Sequence, residues 1–370
     1  ALALVRASGS SIDLPVVEAV GGGAGSTAGS TGGGGSGSDL TAGTLVGNYR
    51  IRECLGRGSM GDTYLAEQTS SGEVVALKFL GRGASNRWTA RFEREIRCQA
   101  AVQSPYVVSC QGAGIHEGRR YMILQYVAGA NLHMILKQLP QRRMYEERAL
   151  RIGYQVLKSL QAVEAHGFLH RDLKPQNVLI STQDVVHLSD FGLVKDLREP
   201  APPPDAAESE RRITPPNTTL GTAEYMSPEQ SLGAELDVRS DLYSLGAVLY
   251  RMLTGVPPFR GETTAQTLEL LIQRPLVPVR ERNPEVTERT AVLVERLLSK
   301  KRNDRYRSSG EVEGEMLACF KEVRDSVRMR QVEEEALRAR TQAPLGIGLA
   351  IIGLSFLIGI VTAWVLRFLR

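Results

Sequence analysis

The chain of 370 residues has room for two or three compact units, and its 42% hydrophobic and 23% charged content is that of an ordinary globular protein. A net charge of +4 makes no case for a nucleic-acid partner. The four cysteines, Cys54, Cys98, Cys110 and Cys319, form no CxxC pair and no metal-like spacing with histidine, which argues for a reduced interior without disulfides.

The first residue is Ala1, so a start further upstream is expected, and the apolar run in "ALALVRASGSSIDLPVV" is too short for a secretory signal. Gly21 to Ser38, "GGGAGSTAGSTGGGGSGS", can bury almost nothing and reads as a flexible tether; no strand and helix flank it, so it is not a phosphate-binding loop. Residues 1–48 are therefore expected to be disordered, with folded chain from Tyr49. From there to Gln125, the runs "NYRIRECL", "TYLAEQ", "EVVALKFL" and "RRYMILQYV" read as strands between Gly, Ser or charged turns. One helix interrupts them, "NRWTARFEREIRCQAAV", with Trp88, Phe92, Ile96 and Ala100 at helical spacing. From Asn131 helices dominate. Leu150, Tyr154, Leu157, Leu160 and Val163 form one stripe, and further helices are expected around 237–254, 263–273, 287–298 and 309–320. The plan is α+β with two lobes, a small sheet-rich one at 49–125 and a larger helical one at 126–320.

Residues 321–344 are highly charged and read as a solvated helix, with fewer than three clean heptads for a coiled coil. Leu345 to Leu366 follows with 22 residues and no charge. As a helix it spans about 33 Å, against about 30 Å of bilayer hydrocarbon. Arg338, Arg340, Arg367 and Arg370 flank it and Trp364 lies near one end, as interfacial anchors do. A single transmembrane helix is expected, with 367–370 as a short tail: either a tail anchor or the approach to an outer sensor domain. Ser355, Gly359 and Ala363 would allow two such helices to pack, which leaves a homodimer open.

Gly56, Gly58 and Gly61 in "LGRGSMGDTYLAE" have GxGxxG spacing. A dinucleotide site needs a helix directly after the glycines. Here a second strand follows, so the glycines turn a hairpin that can fold over phosphates. Lys78 ends the apolar run "VALK", and an inward ammonium there needs a partner. Glu95, one turn beyond Phe92, is the natural one; a snorkelling lysine and a solvated glutamate are the bland alternative.

In chain order come the glycine hairpin, "VALK", the helix with Glu95, "HRDLKPQN", "DFG" at 190–192, "GTAEYMSPE" ending at Glu229, "DLYSLG" at Asp241, and Arg305 in "RNDRYRS". This series, from about Tyr49 to Phe320, resembles a protein kinase domain, most similar to bacterial Hanks-type serine/threonine kinases. The resemblance implies ATP and Mg²⁺ (or Mn²⁺) as cofactors and protein Ser/Thr hydroxyls as acceptors. It implies that Asp172 orients or accepts the proton of the attacking hydroxyl, that Lys174 neutralises the γ-phosphate, and that Asn177 and Asp190 hold the metal. Thr63 and the glycines Gly56, Gly58 and Gly61 would cover the nucleotide, with Leu55 and Ala76 as walls. Leu124 would be the gatekeeper and Gln125 to Val127 the hinge. Thr222 would bond Asp172 and Lys174, Glu229 and Arg305 would form a structural ion pair, Asp241 would brace the catalytic loop, and His170 would pack rather than react.

Three departures stand out. Thr63 replaces the usual valine, Asp62 adds negative charge that is expected to weaken ATP binding, and Ser227 replaces alanine in the APE motif. The segment "REPAPPPDAAESERRITPPNTT" is expected to be mobile until modified. Thr218 is the first phosphosite candidate, then Thr219 and Thr214, with Arg171 as the pairing guanidinium. The expected protein is a membrane-anchored, autophosphorylating kinase with its catalytic domain in the cytoplasm. A membrane-tethered pseudokinase is the alternative, though Lys78, Asp172 and Asp190 are all present.

Overall fold

The computed structural model describes residues 16–18, 40–58, 61–196 and 220–342. The Gly/Ser-rich tether, Thr214, Thr218, Thr219 and the uncharged segment 345–366 lie outside the described residues. The chain divides into two units, residues 1–320 and 321–370.

The first unit opens with a seven-stranded sheet in the order β1-β6-β7-β5-β4-β3-β2. Its strands are β1 (Val16–Glu18), β2 (Leu45–Val46), β3 (Tyr49–Gly58), β4 (Gly61–Gln68), β5 (Val74–Leu80), β6 (Cys110–His116) and β7 (Arg119–Gln125). β1 and β2 correct the expectation for residues 1–48. Val16–Glu18 runs parallel to Ala113–Ile115, and Leu45 and Val46 pair with Arg50 and Tyr49, so sheet edges order short apolar pieces of this segment, with Val46 fully buried in the core. β6 was also missed, because the glycines of "CQGAGIH" blur its alternation. Gly114 has a packing reason: a Cβ there would lie 2.5 Å from the Tyr121 hydroxyl.

The period-two geometry of β5 organises this lobe. Val75, Leu77 and Phe79 face one cluster with Tyr64, Tyr121 and Ile123. Ala76 and Leu80 face the other, with Phe92 and Ile96 of helix α1 (Asn86–Ala101), Met122 and Leu124. Lys78 lies between Ala76 and Leu80 on that second face, so alternation alone aims it at α1. Phe92 and Ile96 are buried as expected, while Trp88 and Ala100 are only partly covered. Cys98 and Gln99 take their place in the core, the Gln99 amide donating to the Val108 carbonyl at 2.9 Å.

The helical part begins with β8 (Gly129–Asn131) and α2 (Leu132–Gln138), whose first turn is capped by the Asn131 side chain accepting from the Met134 amide at 2.9 Å. α3 (Glu146–Ala165) buries Leu150, Leu157, Leu160 and Val163; Tyr154 stays half-buried and donates to Glu313 at 2.9 Å. β9 (Phe168–Leu169) pairs with β12 (Lys195–Asp196), and β10 (Val178–Ser181) lies between β8 and β11 (Val186–Leu188). Then come α4 (Leu220–Ala223), α5 (Pro228–Leu232) and the buried α6 (Val238–Thr254). α3 approaches α6 closely because Gly153 has no Cβ to strike Leu249, at 2.6 Å. α7 (Thr264–Gln273), α8 (Val279–Arg282) and α9 (Glu288–Leu297) follow, and the unit ends inside α10 (Ser309–Gln342). In the second unit the described residues, 321–342, are helical. Among the described residues no helix is long and apolar enough to cross a membrane.

Candidate active site

Lys78 stands opposite Thr63 on β4 and Met122 on β7. Its ammonium donates to Glu95 Oε1 at 2.6 Å and to Asp190 Oδ1 at 3.1 Å. Burial pulls the lysine pKa down, but the charges of Asp190 and Glu95 more than offset it, and the group stays cationic. Glu95 is 1% exposed, and burial pushes its carboxyl up despite Lys78. The charge of Lys78 outweighs burial at Asp190 and holds that carboxyl at about 2.

Asp190 reaches this point through a left-handed backbone, φ +64°. Phe191 pays out the geometry: its ring is buried with Cys98, Val102, Val107 and Phe168 and meets the edge of His170 at 5.1 Å. The Arg91 guanidinium donates to the Gly192 carbonyl at 2.6 Å. Asp190 is thus pinned by an apolar neighbour on one side and a hydrogen bond on the other.

The catalytic-loop candidates lie between β9 and β10. Arg171 is left-handed too, φ +66°, a conformation that needs outside support. Asp241, buried in α6, supplies it by accepting the His170 and Arg171 amides, each at 2.8 Å. His170 is fully buried and shares a 3.1 Å hydrogen bond with the Ser189 carbonyl, a packing role as expected. Pro175 opens a single 3₁₀ turn, Pro175–Asn177, so the loop does contain one tight helical turn. Lys174 donates to Asp172 Oδ2 at 2.7 Å and to the Thr222 hydroxyl at 3.1 Å. The Asn177 amide nitrogen donates to the Asp172 carbonyl at 2.8 Å and to its carboxylate at 3.2 Å. Burial raises the Asp172 pKa against the charge of Lys174, which makes it a better proton acceptor than a solvated aspartate.

The loop is anchored from below. Arg305 is 1% exposed and bonds Glu229 twice, at 2.7 and 2.8 Å, with Tyr243 packed on its guanidinium at 4.7 Å. Burial works against the Glu229 charge, but the bonds from Arg305 and Ser240 prevail and hold it at about 2. Ser227, an apparent departure, caps α5: its hydroxyl accepts from the Gln230 amide while the Gln230 side chain accepts from the Ser227 amide. Gln230, unanticipated from sequence, also donates to the Arg171 carbonyl at 2.8 Å. The S-x-x-Q spacing of "SPEQ" is the signal that would have found it.

On the nucleotide side, Ala76 pairs with Leu124 across β5 and β7, and both pack with Val127 and Leu179. Leu179 of β10 was missed; it sits on a half-buried strand whose alternation is only four residues long. Leu55 is 43% exposed on β3. Gly56 has open space and a Cβ on Gly58 would make only an ordinary contact with the Gly61 carbonyl oxygen at 3.7 Å, whereas Gly61 is required by the hairpin: its φ is +144° and a Cβ would lie 1.8 Å from the Phe79 carbonyl oxygen. Thr63 pairs with Gly56 and is half-buried. Asp62 is not a free charge. Its carboxylate pairs with Arg119 at 3.2 Å, so the added charge is neutralised within the sheet.

Asp190 and Asn177 offer hard oxygen donors, and Asn177 spends its amide nitrogen on Asp172, which leaves its oxygen as the ligating end. Among the described residues no three His, Cys, Asp or Glu side chains form a metal cage. A sparse carboxylate–amide pair fits Mg²⁺ bound jointly with phosphate oxygens.

Residues 49–313 match the family described as the protein kinase domain. The serine/threonine-protein kinase pkn3 of Myxococcus xanthus is 34% identical over 307 residues, covering 80% of this chain and 54% of that protein. The serine/threonine-protein kinase PknH of Mycobacterium bovis is 32% identical over 276 residues, covering 74% and 44%. The chain thus spans about half the length of these relatives. The kinase domain of Mycobacterium tuberculosis PknI superposes with a TM-score of 0.57 at 24% identity, over 76% of this chain and 100% of that one, a likeness of fold.

Proposed function

Because the chain belongs to the protein kinase domain family, we propose that it is a serine/threonine kinase transferring the γ-phosphoryl group of ATP to protein hydroxyls. The observation that carries this reading is one ionic constellation drawn from far-apart segments: Lys78 within 2.6 Å of Glu95 and 3.1 Å of Asp190, beside the Asp172–Lys174–Thr222 chain. In this reading Asp172 accepts the proton as the substrate oxygen bonds to γ-phosphorus and the bond to the ADP oxygen breaks. Lys174 balances charge on the moving group, and Lys78, oriented by Glu95, holds the nucleotide phosphates. Asn177 and Asp190 would hold Mg²⁺, which when bound neutralises phosphate charge. Ala76, Leu124, Val127 and Leu179 form the apolar side of the nucleotide site.

Residues 345–366 serve in this reading as a single membrane anchor, with residues 49–320 as the catalytic domain on the cytoplasmic side; 22 uncharged residues flanked by arginines support it. Autophosphorylation at Thr218, then Thr219 or Thr214, would order the segment through Arg171. Labelled ATP tests the central reading. Wild type should label itself and a protein acceptor, while Asp172→Asn and Lys78→Met should not. Equal incorporation by all three proteins would overturn it. Deleting residues 345–366 should release the protein from the membrane fraction; retention there would refute the anchor.

A further inference from the structure

A cavity of about 470 Å³ lies at the C-terminal end of α6, away from the nucleotide side of the cleft. Its lining includes Arg142, Arg251, Arg260, Arg274 and Arg282 and no carboxylate, with Phe259, Leu270 and prolines as the apolar floor. Five guanidiniums converging on one concavity repel each other, an arrangement stable only beside anions or water. Arg260 has a partner, Glu224, at 3.3 Å. Among the described residues Arg142 and Arg274 find no carboxylate within ion-pair distance.

The fold holds these arginines in place at some conformational cost. Gln141 and Arg142 are both left-handed, φ +52° and +56°, and the loop lies so close to Gly255 that a Cβ there would sit 2.3 Å from the Gln141 carbonyl oxygen. The field reaches the neighbouring helix. The His133 pKa is lowered by burial and then by Arg251, Lys137 and Arg142. Arg251 is lowered by burial, with Tyr225 and Glu224 opposing and Arg142 and Arg260 adding to the effect.

The cavity also connects to the chemistry. Glu224, the partner of Arg260, follows Thr222 by two residues, and Thr222 bonds Lys174, which bonds Asp172. On the other side His133 meets Gln176 at 3.5 Å, and Gln176 directly precedes Asn177. The Gln176 side-chain amide oxygen, Oε1, is buried with no hydrogen-bond partner. These contacts tie the cavity wall to the loop that carries Asp172, beside the path of a peptide flanking the acceptor hydroxyl.

From this the geometry points to an acidic-peptide subsite: the cavity receives carboxylate or phosphoryl side chains of the substrate segment flanking the target Ser or Thr. The inference rests on the kinase reading and deepens it by naming the substrate class. Arginine forks bind carboxylate and phosphate in two-point geometry, so a concavity lined by five of them favours acidic over neutral side chains.

The test uses the full chain in detergent and two fluorescent peptides with Ala in place of the acceptor Thr. One carries Asp and Glu around that position, the other Asn and Gln. Anisotropy should show the acidic peptide binding at least about tenfold more tightly, and Arg142→Glu/Arg274→Glu should abolish the difference. Both positions are exposed, and an unchanged melting temperature certifies the fold of the variant. With Thr restored, the variant should raise KM for the acidic peptide about tenfold, leaving kcat and the KM for ATP unchanged. Equal binding of both peptides by wild type, or selectivity retained in the variant, would overturn the subsite. Selective binding without phosphoryl transfer to either peptide would support the subsite and count against the kinase reading alone.

Discussion

Lys78→Met isolates the electrostatics of the cleft. The substitution removes the one ammonium shared by Glu95 and Asp190 and leaves a carboxylate that is 1% exposed, whose Oε2 already lacks a partner. Losing the charge-assisted bond to Glu95 costs about 1.5–3 kcal/mol. Asp190, held at about 2, would return toward the ordinary aspartate value. That shift is worth about 2.5 kcal/mol at face value and roughly half of it after screening, since the side chain is 36% exposed. Methionine avoids the desolvation of the ammonium, which offsets part of the loss, so a net destabilisation of about 2 kcal/mol is expected by urea denaturation near pH 8. The pH dependence is the sharper readout. Without its cation, Glu95 binds a proton more readily in the folded than in the unfolded state, so the variant recovers stability relative to wild type as pH falls toward the ordinary glutamate range. Glu95→Gln in the Lys78→Met background removes the stranded charge and should restore about 1 kcal/mol or more. Phosphoryl transfer should fall at least about 100-fold in both proteins. A loss independent of pH, with no recovery in the double variant, would refute a buried, charge-balanced Lys78.

Arg305→Met should destabilise by about 3–5 kcal/mol by strands of lost hydrogen bonds and a stranded Glu229, and adding Glu229→Gln should recover more than a third of it in the same denaturation assay. Ser227→Ala removes the capping box of α5 and should cost about 1 kcal/mol, whereas Ser227→Asp, which can still accept the Gln230 amide, should cost less than half of that. Acid should expose both carboxylates held at about 2, Glu229 and Asp190. Their stabilisation is complete above the unfolded pKa values near 4 and is lost as pH falls toward 2, because the unfolded chain then binds more protons. The slope of stability between about pH 4.5 and 2.5 should be shallower in Arg305→Met, and an unchanged slope would count against the pair.

Much of the site is legible in the sequence. Strand alternation in "VVALKFL" aims Lys78 inward and the one helix of that half offers Glu95, but those residues alone favour a snorkelling lysine, and only the motif order argues for the pair that forms. Asp172, Lys174, Asn177, Thr222, Asp241, Glu229 and Arg305 were all named from motif order, and each lies in the predicted neighbourhood. Other features were not legible, for reasons of local composition. β6 is diluted by two glycines, of which Gly114 is needed to admit Tyr121, and Asp62 reads as a free charge because Arg119 is 57 residues away. Gln230 was overlooked beside the more familiar Glu229, although its spacing to Ser227 carried the signal.

The sequence by itself determined the elements and their chemistry: alternation and helical spacing set which faces are apolar, and motif order set which polar residues belong to one reaction. Tertiary structure alone decided which charges are neutralised and which are left over. Asp62 is matched by Arg119, 57 positions away, while five arginines separated by up to 140 positions converge on one cavity without a carboxylate in its wall. Charge interactions depend on distance and burial rather than on order along the chain, so no local pattern can report them.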